Sequence, residues 1–431
     1  MITLPYGIAD FRRIRQEGMV YVDRTAYIPR IERLGSTLVF LRPRRFGKSL
    51  WLQTLASYYD LRREEEFAAL FGDLAIGRGP TPLANRFFVL QWDFSALDLH
   101  GSVEQIAESL REHVRSRALI FEETYRDRLS CPIETGGSAV AIFASLLRSI
   151  RQTPYRLYLL VDEYDSLFKE VMARDAQGAL SLARTDDPFK LLFKAVKNAT
   201  EGQGLERVFI TGVSQIDLND LISGFDIGKN VSLEPELAGL CGFGESEIRG
   251  LLEQISQDRD LATEVAEDAV ATMRTWYNGY RFSTASPVDE LVYNPTNVLY
   301  FLDHLHRQGV PPGQLYDESL RTDCGKLAFL ARTAAGAGVI EELTEGDCEI
   351  SIWQLETSFS LESLLTQLGH DRGSIASLLY FMGLLTLTGV PGRLRVPNLV
   401  AKKLFLDCLL EIHLPAPGDS SAAREIALSG P

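Results

Sequence analysis

A chain of 431 residues with 45% hydrophobic and 24% charged side chains has the make-up of a folded globular protein, with room for about two or three domains, and excludes a disordered or fibrous one. Its formal charge of −14 and pI near 5.1 exclude a surface that grips nucleic acid everywhere, because phosphate needs a basic field; a local basic patch is still compatible. Five scattered cysteines without a Cys-x-x-Cys pair point to a reducing cytoplasm, and the chain has neither a signal-peptide core at its N-terminus nor the ~18 unbroken apolar residues of a membrane helix.

Between Thr37 and Val213 short apolar runs alternate with longer amphipathic stretches, the pattern of an α/β fold in which helices cover both faces of a parallel sheet. The strand candidates are Thr37–Leu41, Phe87–Trp92, Leu157–Val161 and Val208–Thr211, with a shorter fifth at Val231–Leu233. Apolar residues three and four apart predict helices over Lys48–Tyr59, Val103–Ile120, Ala139–Arg151 and Pro188–Ala199.

Beyond Glu236 helical periodicity takes over, at Glu245–Ser256, Glu264–Trp276 and Thr296–Arg307, the last with Asn294 as cap and Pro295 at its first position. These helices are expected to form a lid. A helix at Ser374–Met382, two strand-like runs around a Val-Pro-Gly turn and a helix at Ala401–Glu411 fit a winged-helix-like unit or a plain packing hairpin. The expected division is therefore a core over 1–235, a lid over 236–310, a C-terminal region over 311–414 and a flexible tail over 415–431.

Chemistry concentrates at Arg42-Pro-Arg-Arg-Phe-Gly-Lys-Ser49, between an apolar strand and a helix. A strand that ends in such a loop aims backbone amides and a helix N-terminus at one point, as a polyanionic triphosphate requires. Lys48 is expected on the β- and γ-phosphates and Ser49 on magnesium, with Arg44, Arg45, Phe46, Gly47 and Leu50 completing the ATP-binding loop. One departure is Arg42, which stands where the usual pattern has its first glycine.

The strand Leu157–Val161 delivers Asp162 and Glu163 to the sheet edge where open α/β sheets bind ligands. Asp162 is expected to hold magnesium, usually through water, and Glu163 to orient and polarise the attacking water. Along Arg207–Gln215, Thr211, Ser214 and Gln215 are candidates to sense the γ-phosphate, or are hydroxyls and an amide satisfied at a strand end. The catalytic set is thus Glu163, Lys48 and Ser214. Arg207 and Arg281 are candidates to neutralise transition-state charge; Arg281 follows an aromatic-rich Asn-Gly turn that ordinary packing also explains. The six histidines form no metal constellation.

Several phrases together resemble the bacterial AAA-ATPase-like P-loop family, related to archaeal-type and STAND ATPases. They are Leu4-Pro-Tyr-Gly-Ile-Ala-Asp-Phe11, Tyr21-Val-Asp-Arg-Thr25, the Lys48 loop, Val161-Asp-Glu-Tyr-Asp165, Thr211-Gly-Val-Ser214, Ser223-Gly-Phe225, Tyr277-Asn-Gly-Tyr280 and Tyr293-Asn-Pro295. The resemblance implies that Arg-Pro at the loop's start is a family trait, and that the phrase from Tyr21 to Thr25 belongs to the nucleotide-binding region, although lysine is commoner where Arg24 stands.

The leading expectation is an ATP-hydrolysing regulator or switch, open to oligomerisation, whose effector or nuclease is a separate chain or has been lost. Members of the family commonly continue into a PD-(D/E)XK nuclease domain after the phrase matched by Arg395-Val-Pro-Asn398, yet this sequence holds no Glu-x-Lys tripeptide. The alternative is a nucleotide-gated module with little hydrolysis that binds protein or DNA through Arg393, Arg395, Lys402 and Lys403; a scaffold that has lost ATP fits the retained Lys48, Ser49, Asp162 and Glu163 poorly. Nuclease activity is expected to be absent: the purified chain with magnesium should leave plasmid DNA intact on a gel, and degradation would contradict the reading.

Overall fold

A computed structural model describes residues 2–166, 188–213, 228–285, 291–316, 327, 330, 331, 333–345, 348–357 and 371–413. Ser214, Gln215, Ser223-Gly-Phe225 and the expected tail lie outside the described residues. The chain begins with α1 (Phe11–Gln16) and α2 (Ile28–Leu34), then enters β1 (Thr37–Leu41), α3 (Lys48–Tyr59) and α4 (Phe67–Phe71). Next come β2 (Phe87–Asp93), α5 (Val103–Tyr125), α6 (Ala139–Arg151), β3 (Arg156–Asp162), α7 (Pro188–Thr200), β4 (Leu205–Gly212) and β5 (Lys229–Asn230).

The five strands form one parallel sheet in the order β2-β3-β4-β1-β5. From β1 the chain crosses to the far edge and returns through β3 and β4. This order places β4 between the strand that enters the lysine loop and the strand that ends in the acids, so both termini reach the same edge. Buried helix faces drive the assembly: Leu52 and Leu55 of α3, Leu110 and Val114 of α5, and Leu146 and Ile150 of α6 join the strand side chains in one apolar cluster. The first strand has its expected bounds and the next three run longer than expected, while the fifth differs in place. Lys229 and Asn230 make the pairing with β1, while Val231 turns inward, fully buried, and its amide bonds Val39.

Three helices follow, α8 (Glu245–Arg259), α9 (Thr263–Tyr277) and α10 (Pro295–Gln308). They enclose a second apolar cluster, with Ile248, Leu252, Met273, Phe301 and Leu305 at its centre and Leu4 of the N-terminal segment packed in. The expected cap forms at α10, where the Asn294 side chain accepts from the Asn297 amide at 3.2 Å and Pro295 takes the first turn.

The C-terminal region holds α11 (Ala334–Glu345), β6 (Glu349–Ser351), α12 (Arg372–Phe381), β7 (Thr386–Leu387), β8 (Arg393–Arg395) and α13 (Leu399–His413). Its antiparallel sheet runs β6-β8-β7, so the hairpin after α12 gains a third strand. Ile350, Leu379, Phe381 and Leu394 share the apolar cluster of the parallel sheet. Of the basic side chains expected here, Arg393 ion-pairs with Glu349 at 3.6 Å and the Lys403 amine lies 5.4 Å from the Tyr316 ring centre.

Arg42 ties these parts together. It is only 2% exposed, and its guanidinium donates to the carbonyls of Leu41, Ser232 and Leu237 at 2.7–3.0 Å. The same group lies over the rings of Phe40 and Phe282, 4.4 and 4.2 Å from their centres. Burial pushes its pKa down to about 10, which still leaves it charged at neutral pH. Arg42→Gly would restore the glycine of the usual loop pattern, yet it should destabilise the chain by roughly 1–3 kcal/mol through the carbonyls left without donors. A urea midpoint equal to that of the unaltered protein would contradict this role.

Candidate nucleotide-binding site

The loop after β1 is shaped by two left-handed residues, Arg45 at φ 66° and Gly47 at φ 92°. Gly47 takes this conformation without a Cβ penalty and serves as N-cap of α3, so Lys48 becomes the first residue of the helix. The Lys48 amine turns back over the loop and donates to the carbonyls of Arg42 and Pro43, each at 3.0 Å. Burial pushes this amine below its ordinary pKa, while Asp162, Glu163 and Asp165 act in the opposite sense. A polyanion in front of the loop would add to that second effect.

At the end of β3, Asp162 is held from three sides. Ser49 Oγ donates to Oδ2 at 2.6 Å, while the Glu163 amide at 3.0 Å and the buried Thr211 hydroxyl both donate to Oδ1. Thr211 therefore orients the acid, the role of a satisfied strand-end hydroxyl. Glu163 adopts φ 51°, an uncommon conformation for a residue with a Cβ, and it turns the chain out of the strand at the sheet edge. The adjoining strand end has no space for a side chain: a Cβ at Gly212 would lie 2.6–2.7 Å from the Tyr164 ring and the Asp165 carboxylate.

In front of the loop lies a cleft of about 510 Å³. Arg44, Arg45, Phe46, Gly47, Lys48, Ser49, Leu50 and Glu163 line it, so the sequence-derived loop residues and the second acid share one space. Tyr21, Val22 and Arg24 supply another part of the wall. Arg24 spans to the lid, where it bonds the Glu247 carboxylate and the Gly242 carbonyl. Further walls come from Pro5, Ile8 and Val20 of the N-terminal segment and from Leu240, Phe243 and Leu299 beyond the sheet. Sequence reasoning gave these six no role. They are ordinary apolar residues without a diagnostic spacing, and only the phrase beginning at Leu4 hinted at the first two.

The lid also reaches the loop directly. Pro295 and Thr296, in the first turn of α10, line the cleft, and the Thr296 hydroxyl donates to the Arg45 carbonyl at 3.1 Å. Helix α10 thus presents its positive end to the same space as the Lys48 loop. Phe46 meets Tyr280 and Phe282 edge-on, at 4.8 and 5.3 Å between ring centres, which accounts for the aromatic-rich turn.

Neither candidate arginine faces the cleft. Arg207 lies near the start of β4, at the opposite end of the sheet, where it donates to the Gly35 carbonyl at 2.7 Å. Arg281 is buried against Gly389 in the C-terminal region. Both are therefore corrected from charge-neutralising residues to structural ones, because strand position and burial hold them away.

A hydroxyl and a carboxylate, hydrogen-bonded to each other beside a lysine, offer the hard oxygen ligands that magnesium takes together with phosphate. Ser49 and Asp162 fit that ion. Among the described residues no group of three or more His, Cys, Asp or Glu is placed to hold a metal, and no helix is long and apolar enough to cross a membrane.

Comparison with known proteins places this geometry. A family model described as a predicted AAA-ATPase matches residues 5–222. The "Uncharacterized protein in vnfD 5'region" of Azotobacter chroococcum mcd 1 is 27% identical, over 96% of this chain and 71% of that protein. Among solved structures, the Aeropyrum pernix ORC2 protein in its ADPNP-ADP complexes aligns over 93% of this chain and 97% of its own, with a TM-score of 0.35 and 14% identity. The Aeropyrum pernix ORC1 protein in complex with DNA aligns over 99% of this chain and 95% of its own, with a TM-score of 0.31 and 14% identity. The fold is defined by the strand order itself. Because the matched span holds both the Lys48 loop and the Asp162–Glu163 pair and covers half of the chain, the protein belongs to the AAA-ATPase-like family.

Proposed function

We propose that the protein binds Mg-ATP in the cleft, hydrolyses the γ-phosphate, and uses the cycle as a switch acting on an effector in a separate chain. The observation that carries this reading is the meeting of Lys48, Ser49 and Glu163 at a cleft whose other walls are apolar, with Asp162 bonded to Ser49 behind them. Such a site suits a molecule with a polyanionic end and a flat, weakly polar one.

In this reading the amides of the loop and Lys48 bind the β- and γ-phosphates, and the first turn of α10 adds its positive end. Ser49 and Asp162 would hold magnesium, which supplies Lewis-acid polarisation of phosphate oxygen. Glu163, turned out of the strand toward the phosphate side, orients a water and accepts its proton. The apolar walls exclude bulk water from the base. Thr296 and Phe46 connect the loop to the lid and the Tyr280 turn, so a change in the loop on loss of the γ-phosphate has a direct route to α10.

Lys48→Ala removes the central cation and should weaken ATP binding by about 10- to 100-fold, the equivalent of charge-assisted hydrogen bonds of roughly 1.5–3 kcal/mol. Equilibrium binding of a fluorescent ATP analogue measures it. Glu163→Gln keeps the shape of the side chain and should retain ATP affinity while hydrolysis, followed as phosphate release, falls about 100-fold or more. If both variants bind and turn over ATP as the unaltered protein does, the site is misassigned.

A further inference from the structure

A second cavity, of about 360 Å³, adjoins the Ser49–Asp162 pair. Among the residues that line it are Ser49, Gln53, Gln91, Asp93, Arg117 and Asp162. Gln53 and Gln91 are bonded to each other at 2.8 Å. Asp93, the last residue of β2, is in register with Asp162 on β3. Neighbours in register on parallel strands are about 4.8 Å apart and point to the same face. The two carboxylates therefore stand side by side at the sheet edge, with Ser49 opposite.

Magnesium dehydrates reluctantly and keeps several waters, and each of those waters needs an acceptor. Asp162 has about one acceptor position left for them, since Ser49, Thr211 and the Glu163 amide already take three of the roughly four its oxygens offer. Asp93 differs. Its Oδ1 accepts from the amide and hydroxyl of Ser95, at 3.0 and 2.7 Å, and no group among the described residues bonds Oδ2.

We infer that Asp93 is a positioning residue for magnesium: its Oδ2 accepts hydrogen bonds from water on the ion that Ser49 and Asp162 hold, across the 360 Å³ cavity that all three line. The inference rests on the Mg-ATP reading above and adds a residue that neither the lysine loop nor the acidic pair contains. Arg117, on another wall of the same cavity, offsets part of the charge that Asp93 adds beside Asp162 and Asp10, which also lines it. Asp93 gives up no proton and touches no phosphate. It holds the ion's water shell in one orientation.

The test is calorimetric titration of the full chain with ADP at stepped magnesium concentrations, for the unaltered protein, Asp93→Asn and Asp93→Glu. Asparagine still accepts from Ser95, so the local turn persists and the change isolates the charge. The magnesium needed for half-maximal tightening of ADP should rise about 10-fold or more in Asp93→Asn, as for other residues that support a metal from behind its ligands. Magnesium-free ADP affinity and the melting temperature should stay unchanged, and Asp93→Glu should recover part of the loss. An Asp93→Asn chain with unaltered magnesium dependence overturns the inference, as does one whose magnesium-free affinity falls equally. If the unaltered chain binds no ADP at any magnesium level, the Mg-ATP reading fails, and this inference with it.

Discussion

The hydrogen bond from Ser49 Oγ to Asp162 Oδ2, 2.6 Å long, joins two pieces of chain 113 residues apart and fixes the acid beside the Lys48 loop. It exists because β1 and β3 are separated by a single strand and end at the same edge. Thr211, from that intervening strand, clamps the other oxygen of the acid. All three strands thus contribute to one carboxylate, and its position is set by sheet register rather than by a loop. A slip of one residue in β4 would turn the Thr211 hydroxyl to the opposite face and release the acid.

The loop that carries Lys48 is held with similar firmness, though by other means. Where the common pattern uses glycine, Arg42 is buried under Phe40 and Phe282 and binds carbonyls in the chain that follows β5. It gives up any reach toward phosphate and anchors the start of the loop instead. Phe46 anchors the middle against Tyr280 and Phe282. Both contacts lead out of the sheet, so the loop forms part of the packing between the sheet, the lid and the C-terminal region. In the proposed cycle, a change at such a loop would reach its neighbours without a separate relay.

Much of the sheet could be read from the sequence because its strands are buried on both faces and appear as unbroken apolar runs: Thr37–Leu41 and the helix Lys48–Tyr59 have the same bounds in the structure. The edge strand was less legible. Its pairing uses Lys229 and Asn230, whose side chains carry no strand signal, and the apolar residues that follow turn into the core. That Lys48, Ser49, Asp162 and Glu163 come together was legible because each stands at the end of an apolar strand run or in the loop after one. The places of Arg207 and Arg281 were not legible, since an arginine looks the same in sequence whether it meets phosphate or is held within the fold. Asp93 was hidden for a related reason: a single acid at a strand end is unremarkable until register sets it beside Asp162.

The central claim is that one magnesium-bound triphosphate unites the Lys48 loop with the acids at the end of β3. A crystal structure with magnesium and a non-hydrolysable ATP analogue tests it most directly. The account predicts that the Lys48 amine leaves the carbonyls of Arg42 and Pro43 for the β- and γ-phosphates, that the ion sits between Ser49 and Asp162, and that the base lies against Ile8 and Leu299. A nucleotide bound elsewhere, or an amine still seated on those two carbonyls with the cleft occupied, would contradict it.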